Sequence, residues 1–157
     1  MRDSVTVHMA ASPASVWELV SDITNTGRWS PETFEAEWLG GASPPAVGTR
    51  FRGHVKRNGR GPVYWTTCQI IACEPGREFA FAVMINAKPT NTWRYEFTPV
   101  GDGVDVTESF ELTPTRLLRL YWALAGWARN RTNVNGMRET LHRIKAAAES
   151  ETGAAKS

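Results

Sequence analysis

Apolar and polar residues alternate at two periods along this chain, and the switches between them divide it into three parts. In the first part, Asp3 to Met9 carries Val5, Val7 and Met9 on one side, which predicts a half-buried strand. Ser12 then offers a helix cap and Pro13 a first helical position, and Val16, Trp17, Leu19 and Val20 form a helical stripe. Asp22 to Gly27 reads as a polar turn or second small helix ended by Gly27, followed by a Trp29-Ser30-Pro31 corner. In the middle part the period is two. Phe34, Ala36 and Trp38 share one face, and Phe51, Gly53 and Val55 lie opposite Arg50, Arg52, His54 and Lys56. Phe79, Phe81, Val83 and Ile85 share a face, then Trp93, Tyr95 and Phe97, then Val104, Val106, Glu108, Phe110 and Leu112.

The long strand Val63 to Cys73 has no single facing, because Trp65 and Ile70 fall on opposite phases and only a bulge would reconcile them. Pro- and Gly-rich Gly40 to Gly48 predicts a loop, and Asn58 to Gly61, Glu74 to Gly76 and Gly101 to Gly103 predict turns. Strands joined by short turns predict an antiparallel meander. The third part is helical from Pro114, with a stripe through Leu117, Leu120, Leu124, Trp127, Val134, Leu141 and Ala148. A helix of about 35 residues would be roughly 50 Å long, enough to cross a domain of this size. Gly126 and Gly136 interrupt it and predict a kink or a close approach to the sheet. The fold class is therefore α+β, a curved sheet of six to seven strands gripping a long C-terminal helix. Residues 1–151 form one domain, and 152–157 a frayed tail.

Composition narrows the function classes. No apolar run approaches the roughly 18 residues of a membrane span, and the start of the chain has no apolar leader core. Two thiols and no export signal favour a reducing cytoplasm. Cys68 and Cys73 are five apart on one predicted strand and should face opposite sides. A net charge of +2 is too small to argue for nucleic acid. His8, His54 and His142 sit on three separate elements without ligand spacing, so no metal is expected. No phosphate loop, dinucleotide fingerprint or nucleophile elbow occurs, so no cofactor is expected either. Seven tryptophans suggest a large aromatic interior or a cavity lined with rings.

The stretch PASVWELVSDITNTGRWSPE, the strand GTRFRG, then CEPGREFAF, TWRYEF, VTESFE and GMRETLHRIK occur in an order that resembles a known family. The chain looks like a START-like, helix-grip protein of the SRPBCC superfamily, in its polyketide cyclase/dehydrase and lipid-transport branch. The resemblance spans nearly the whole chain and implies a cavity between sheet and helix. It names no catalytic residue, because the superfamily hosts carriers, receptors, cyclases and co-chaperones alike.

The aromatic set Trp17, Phe51, Phe79, Phe81, Trp93, Tyr95, Phe97 and Trp127 is the candidate cavity wall, or plain core. Trp29 and Pro31 belong at the mouth, as a gate or as a packed corner. Glu108 shares the apolar phase of its strand, so it needs a partner or a raised pKa. Arg131 lies about 40° from Trp127 around the helix, which suggests a Glu108–Arg131 pair. Such a pair would either anchor the polar end of a ligand or tie helix to sheet. Leu118 and Trp122 leave the stripe beside Arg116, Arg119 and Arg129. That surface suits a peripheral membrane contact, a homodimer contact in a chain otherwise monomeric, a protein partner, or cover by the chain's own loop. The leading expectation is a binder or carrier of a hydrophobic small molecule: a lipid, acyl chain, quinone or polyketide. An aromatase/cyclase or dehydratase is the alternative, with Glu108, Tyr95 or Arg131 handling protons.

Overall fold

The computed structural model describes residues 2–41, 45–56, 61–113 and 116–154, with side chains of 116–131 outside the description. Seven strands form one antiparallel sheet: β1 Arg2–Met9, β2 Thr33–Trp38, β3 Arg50–Lys56, β4 Val63–Glu74, β5 Glu78–Ile85, β6 Lys88–Val100 and β7 Gly103–Leu112. Strands β2 to β7 follow one another as a meander, and β1 closes the order β1-β7-β6-β5-β4-β3-β2 by pairing with β7. Between β1 and β2 lie α1 Pro13–Ser21, a 3₁₀ turn Ile23–Asn25 and α2 Thr26–Trp29, and the chain ends in α3 Arg116–Ala154. This is the α+β helix-grip arrangement expected from the alternation.

Local chemistry sets the element ends. The Ser12 hydroxyl accepts from the Ser15 N–H at 3.1 Å, and Pro13 opens α1, whose Val16, Trp17 and Val20 are buried. The Asp22 carboxylate accepts from the Thr24 N–H at 3.1 Å and starts the 3₁₀ turn. Gly27 does not end a helix as expected; it lies within α2. A Cβ there would stand 2.2 Å from the Phe34 carbonyl oxygen, so the missing side chain lets α2 press onto β2. The β5–β6 hairpin turns on Asn86 and Ala87, both at positive φ (50° and 60°), the backbone of a tight two-residue turn.

Three expectations about facing are corrected. Register shifts between Thr33 and Glu35, and the irregularity turns Phe34 out to about half exposure while Ala36 stays buried. Trp65 also faces outward and needs no bulge to bring it in. Its ring stacks on His54 at 4.2 Å, Phe34 meets His54 from the other side at 4.5 Å, and the Arg52 guanidinium lies 4.3 Å from Trp65. The basic face of β3 is thus partly engaged, with Arg52 paired to Glu37 and His54 to Glu35. The bulge of β4 falls later, between Ile70 and Ala72, and reverses the phase beyond it. Cys73 therefore pairs with inward Phe79 and faces the same side as buried Cys68, against expectation; both thiols are free.

The core joins Met9, Val16, Ile23, Ile70, Phe79, Val104 and Val106 to Leu141, Ile144 and Ala148 of α3. Helix α3 has 39 residues, about 58 Å at helical rise, and packs on β1, β7, α1 and α2. Two hydrogen bonds pin it beside β1: Lys145 Nζ donates to the His8 carbonyl at 2.8 Å, and the Ala10 N–H donates to Glu149 at 2.8 Å. Gly136 approaches the Trp-Ser-Pro corner at Pro31. The helix runs past Thr152, whose hydroxyl donates to the Ala148 carbonyl at 2.9 Å, so 152–154 are helical rather than a tail. The described helices include none long and apolar enough to cross a membrane.

Candidate functional site

A cleft of about 670 Å³ separates the concave sheet face from the middle of α3. It falls within the range of about 300–1,000 Å³ that small-molecule sites occupy. Alternation on β3, β5, β6 and β7 aims Phe51, Phe79, Phe81, Val83, Trp93, Tyr95, Glu108 and Phe110 into it. The corner Trp29 to Thr33 borders one side, and 132–140 of α3 the other. Rings contact one another across and along strands: Phe51 and Phe81 centroids are 5.1 Å apart, Trp93 and Phe110 4.8 Å, and Phe79 and Phe81, both on β5, 6.2 Å.

Of the residues proposed from sequence, Trp29, Pro31, Phe51, Phe79, Phe81, Trp93, Tyr95 and Glu108 line this space. Trp17 and Phe97 do not. Helix α1 packs over the end of the sheet where β6 carries Phe97, so both rings are consumed in the core. The Trp17 Nε1–H donates to the Glu78 carbonyl at 3.0 Å there. Trp127, Arg131, Leu118 and Trp122 fall outside the described side chains, and the expected Glu108–Arg131 pair falls there with them.

The sequence reading missed Tyr64, Thr66 and Cys68, the even positions of β4, because Trp65 and Ile70 on opposite phases left the facing of this strand open. It also missed Asn133, Asn135, Met137 and Thr140 on α3. Their signal was the gap in the apolar stripe between Val134 and Leu141. A helix needs no continuous apolar face where it borders a cavity rather than a packed sheet.

The buried polar centre is Glu108 with Tyr95, placed side by side because the two residues are directly paired across β7 and β6. The Tyr95 hydroxyl donates to Glu108 Oε1 at 2.8 Å, and Glu108 is only 3% exposed. Glu108 Oε2 is buried and has no hydrogen-bond partner among the described residues. Burial pushes the Glu108 carboxyl up to about 8, opposed by the Tyr95 hydrogen bond. Burial first, then the neighbouring carboxylate, pushes the Tyr95 hydroxyl well above its ordinary value. Burial also raises the Cys68 thiol to about 12, against a hydrogen bond with Thr66, so it is a poor nucleophile at neutral pH. Among the described residues no cluster of three His, Cys, Asp or Glu has metal-holding geometry.

The family described as "Polyketide cyclase / dehydrase and lipid transport" matches residues 2–149. The chain belongs to this family. No curated protein matches it. Among solved structures it is similar to the Polyketide_cyc-like protein of Corynebacterium glutamicum, at 30% identity and TM-score 0.64, covering 96% of this chain and 93% of that one. A Deinococcus radiodurans protein shares 17% identity at TM-score 0.67, over 98% of both chains. The di-domain ARO/CYC StfQ of the steffimycin biosynthetic pathway shares 15% identity at TM-score 0.70, over 97% of this chain and 51% of that one. At these lower identities the likeness is one of fold.

Proposed function

We propose that this family member binds a hydrophobic small molecule in the cleft between sheet and helix, as a carrier or receptor rather than a catalyst. The observation that carries this reading is the lining among the described residues: an aromatic wall with one buried, hydrogen-bonded pair of titratable side chains, Tyr95 and Glu108. A carrier has only to match its ligand's ground state, whereas catalysis needs several polar groups placed where charge develops. Of the other described titratable groups on the wall, Glu32, Tyr64 and Glu139 are not fully buried, and the Cys68 thiol is held protonated.

The buried Tyr95–Glu108 contact also favours a second reading, a cyclase or dehydratase in which a carboxyl of raised pKa moves protons at neutral pH. The family's description and the StfQ likeness support that alternative. One experiment separates the two. Incubation with acyl and polyketide-like compounds, followed by mass, should show saturable binding without product. Multiple turnovers abolished by Glu108→Gln or Tyr95→Phe would establish the enzyme instead.

A further inference from the structure

We propose that the open end of the sheet is a docking face for an anionic lipid bilayer. The chain lies on such a surface rather than spanning it, with two strand tips at the headgroup boundary and basic residues on the lipid phosphates.

The argument begins with the tips. Register brings the last residues of β3, β5 and β7 and the first of β4 and β6 to one end of the sheet. Val55, Tyr64, Val83, Asn91 and Leu112 line the cleft closest to those strand ends, so the cleft opens among the same connections. Ile85 shares the inward phase of Phe79, Phe81 and Val83, yet it is 59% exposed at the β5 tip, beside the tight turn of Asn86 and Ala87. Val63, at the start of β4, is 46% exposed next to exposed Pro62. A lone exposed aliphatic residue is ordinary. Here each of the two stands directly across the ladder from an exposed lysine, Ile85 from Lys88 and Val63 from Lys56. An apolar tip beside a cation is the chemistry of a bilayer interface, where one enters the acyl boundary and the other holds a headgroup.

Charge is sorted the same way. The sequence between β3 and β4 is Arg57-Asn58-Gly59-Arg60, the β5–β6 turn leads into Lys88, and α3 opens with Arg116 and Arg119. Residues 38–73, 79–95 and 112–138, which span these three connections, contain no Asp or Glu. The connections at the opposite end hold Glu74 and Glu78 about Arg77, then Asp102, and α3 finishes with Glu149 and Glu151. The acids near the open end lie off its three connections. Glu32 is beside β3, and Asp3 and Glu111 are on the β1 side, where Glu111 stands across from Arg2. A basic end and an acidic end orient the chain on an anionic surface. The tips belong to separate hairpins with cations between them, so they form no groove for a folded partner, whereas a bilayer conforms to them.

The test measures partition of the whole chain onto sedimented vesicles, without ligand, in about 0.1 M salt. Phosphatidylcholine mixed equally with phosphatidylserine should bind it, and phosphatidylcholine alone should not. Raising the salt to about 0.5 M should release most of the bound chain, because exposed charges are screened. Lys88→Gln should weaken binding about 5-fold, the contribution of one basic residue at an anionic surface. Ile85→Ser should weaken it about 10-fold through lost apolar burial. Both positions are exposed, so neither change threatens the fold. Arg77→Gln, at the opposite end, should bind like the parent. Equal binding to both vesicles, binding to neither, or an equal loss in Arg77→Gln would overturn the proposal. Unchanged binding of Lys88→Gln or Ile85→Ser would overturn it too, since neither tip would then touch the lipid. Binding to soluble polyglutamate as tight as to the vesicles would assign the face to an acidic protein instead. No ligand takes part, so each of these results leaves the cleft-binding reading as it stands.

Discussion

Glu108 is held in its place by β-sheet register, yet its burial works against the folded state. The free carboxyl titrates near 4.5 and the buried one near 8. The folded chain therefore keeps a proton that the unfolded chain releases between those values. Stability is then complete below about pH 4.5 and falls as pH rises through 8, at roughly 1.4 kcal/mol per pH unit. Glu108→Gln removes the titration and keeps the shape. Its stability should match the parent near pH 5 and exceed it near pH 8, by an amount on the order of a few kcal/mol. Urea unfolding at the two pH values measures this directly. Parallel pH profiles for the two proteins would show that Glu108 stays ionised in the folded chain.

At the scale of elements, two glycines on helices predict opposite outcomes. At Gly27 an added Cβ meets backbone at 2.2 Å, so Gly27→Ala must lift α2 off β2. Despite alanine's better helix propensity, it should lower stability by about 1–3 kcal/mol, as overpacking does. At Gly136 the nearest atom to a new Cβ is Pro31 Cγ at 3.7 Å, an ordinary contact. Gly136→Ala should therefore raise stability by about 0.5–1 kcal/mol through helix propensity alone. Thermal melts of the two variants test the signs together; a gain at Gly27 would mean that α2 does not press on β2.

These elements also show what sequence discloses. Alternation located the strands and their inward rings because one face of a curved sheet must be apolar throughout. It could not locate bulges, which leave no compositional mark. Phe34 turned outward, and Cys73 joined Cys68 on the inner face, for that reason. The Asn86-Ala87 turn escaped notice because alanine rarely adopts positive φ. Trp17 and Phe97 were legible as buried, but the choice between core and cavity wall was not, since only the placement of α1 decides which end of the sheet is filled.

At the scale of the whole molecule, the helices fill one end of the concave sheet and leave the other open. The packed end carries Met9, Leu141 and Ile144, each fully buried. The open end carries Phe51, Phe81, Trp93 and Phe110 around the cleft. A ligand that fills this end completes the core, so binding and folding are linked. At a concentration 100 times its Kd, a ligand specific for the folded chain adds about 2.7 kcal/mol. For a chain of this size that corresponds to a rise in Tm of roughly 5–10 °C. Phe81→Arg puts a cation among the rings of the wall and should abolish the rise. Because Phe81 is only partly buried, the variant's own fold should survive. Thermal scans with and without an apolar ring probe such as 2-acetylnaphthalene, on parent and variant, provide the check. An equal rise in both would mean that the ligand binds elsewhere and that this cleft is unfilled core. No rise in the parent, at concentrations where fluorescence reports saturation, would mean that the compound binds folded and unfolded chains alike.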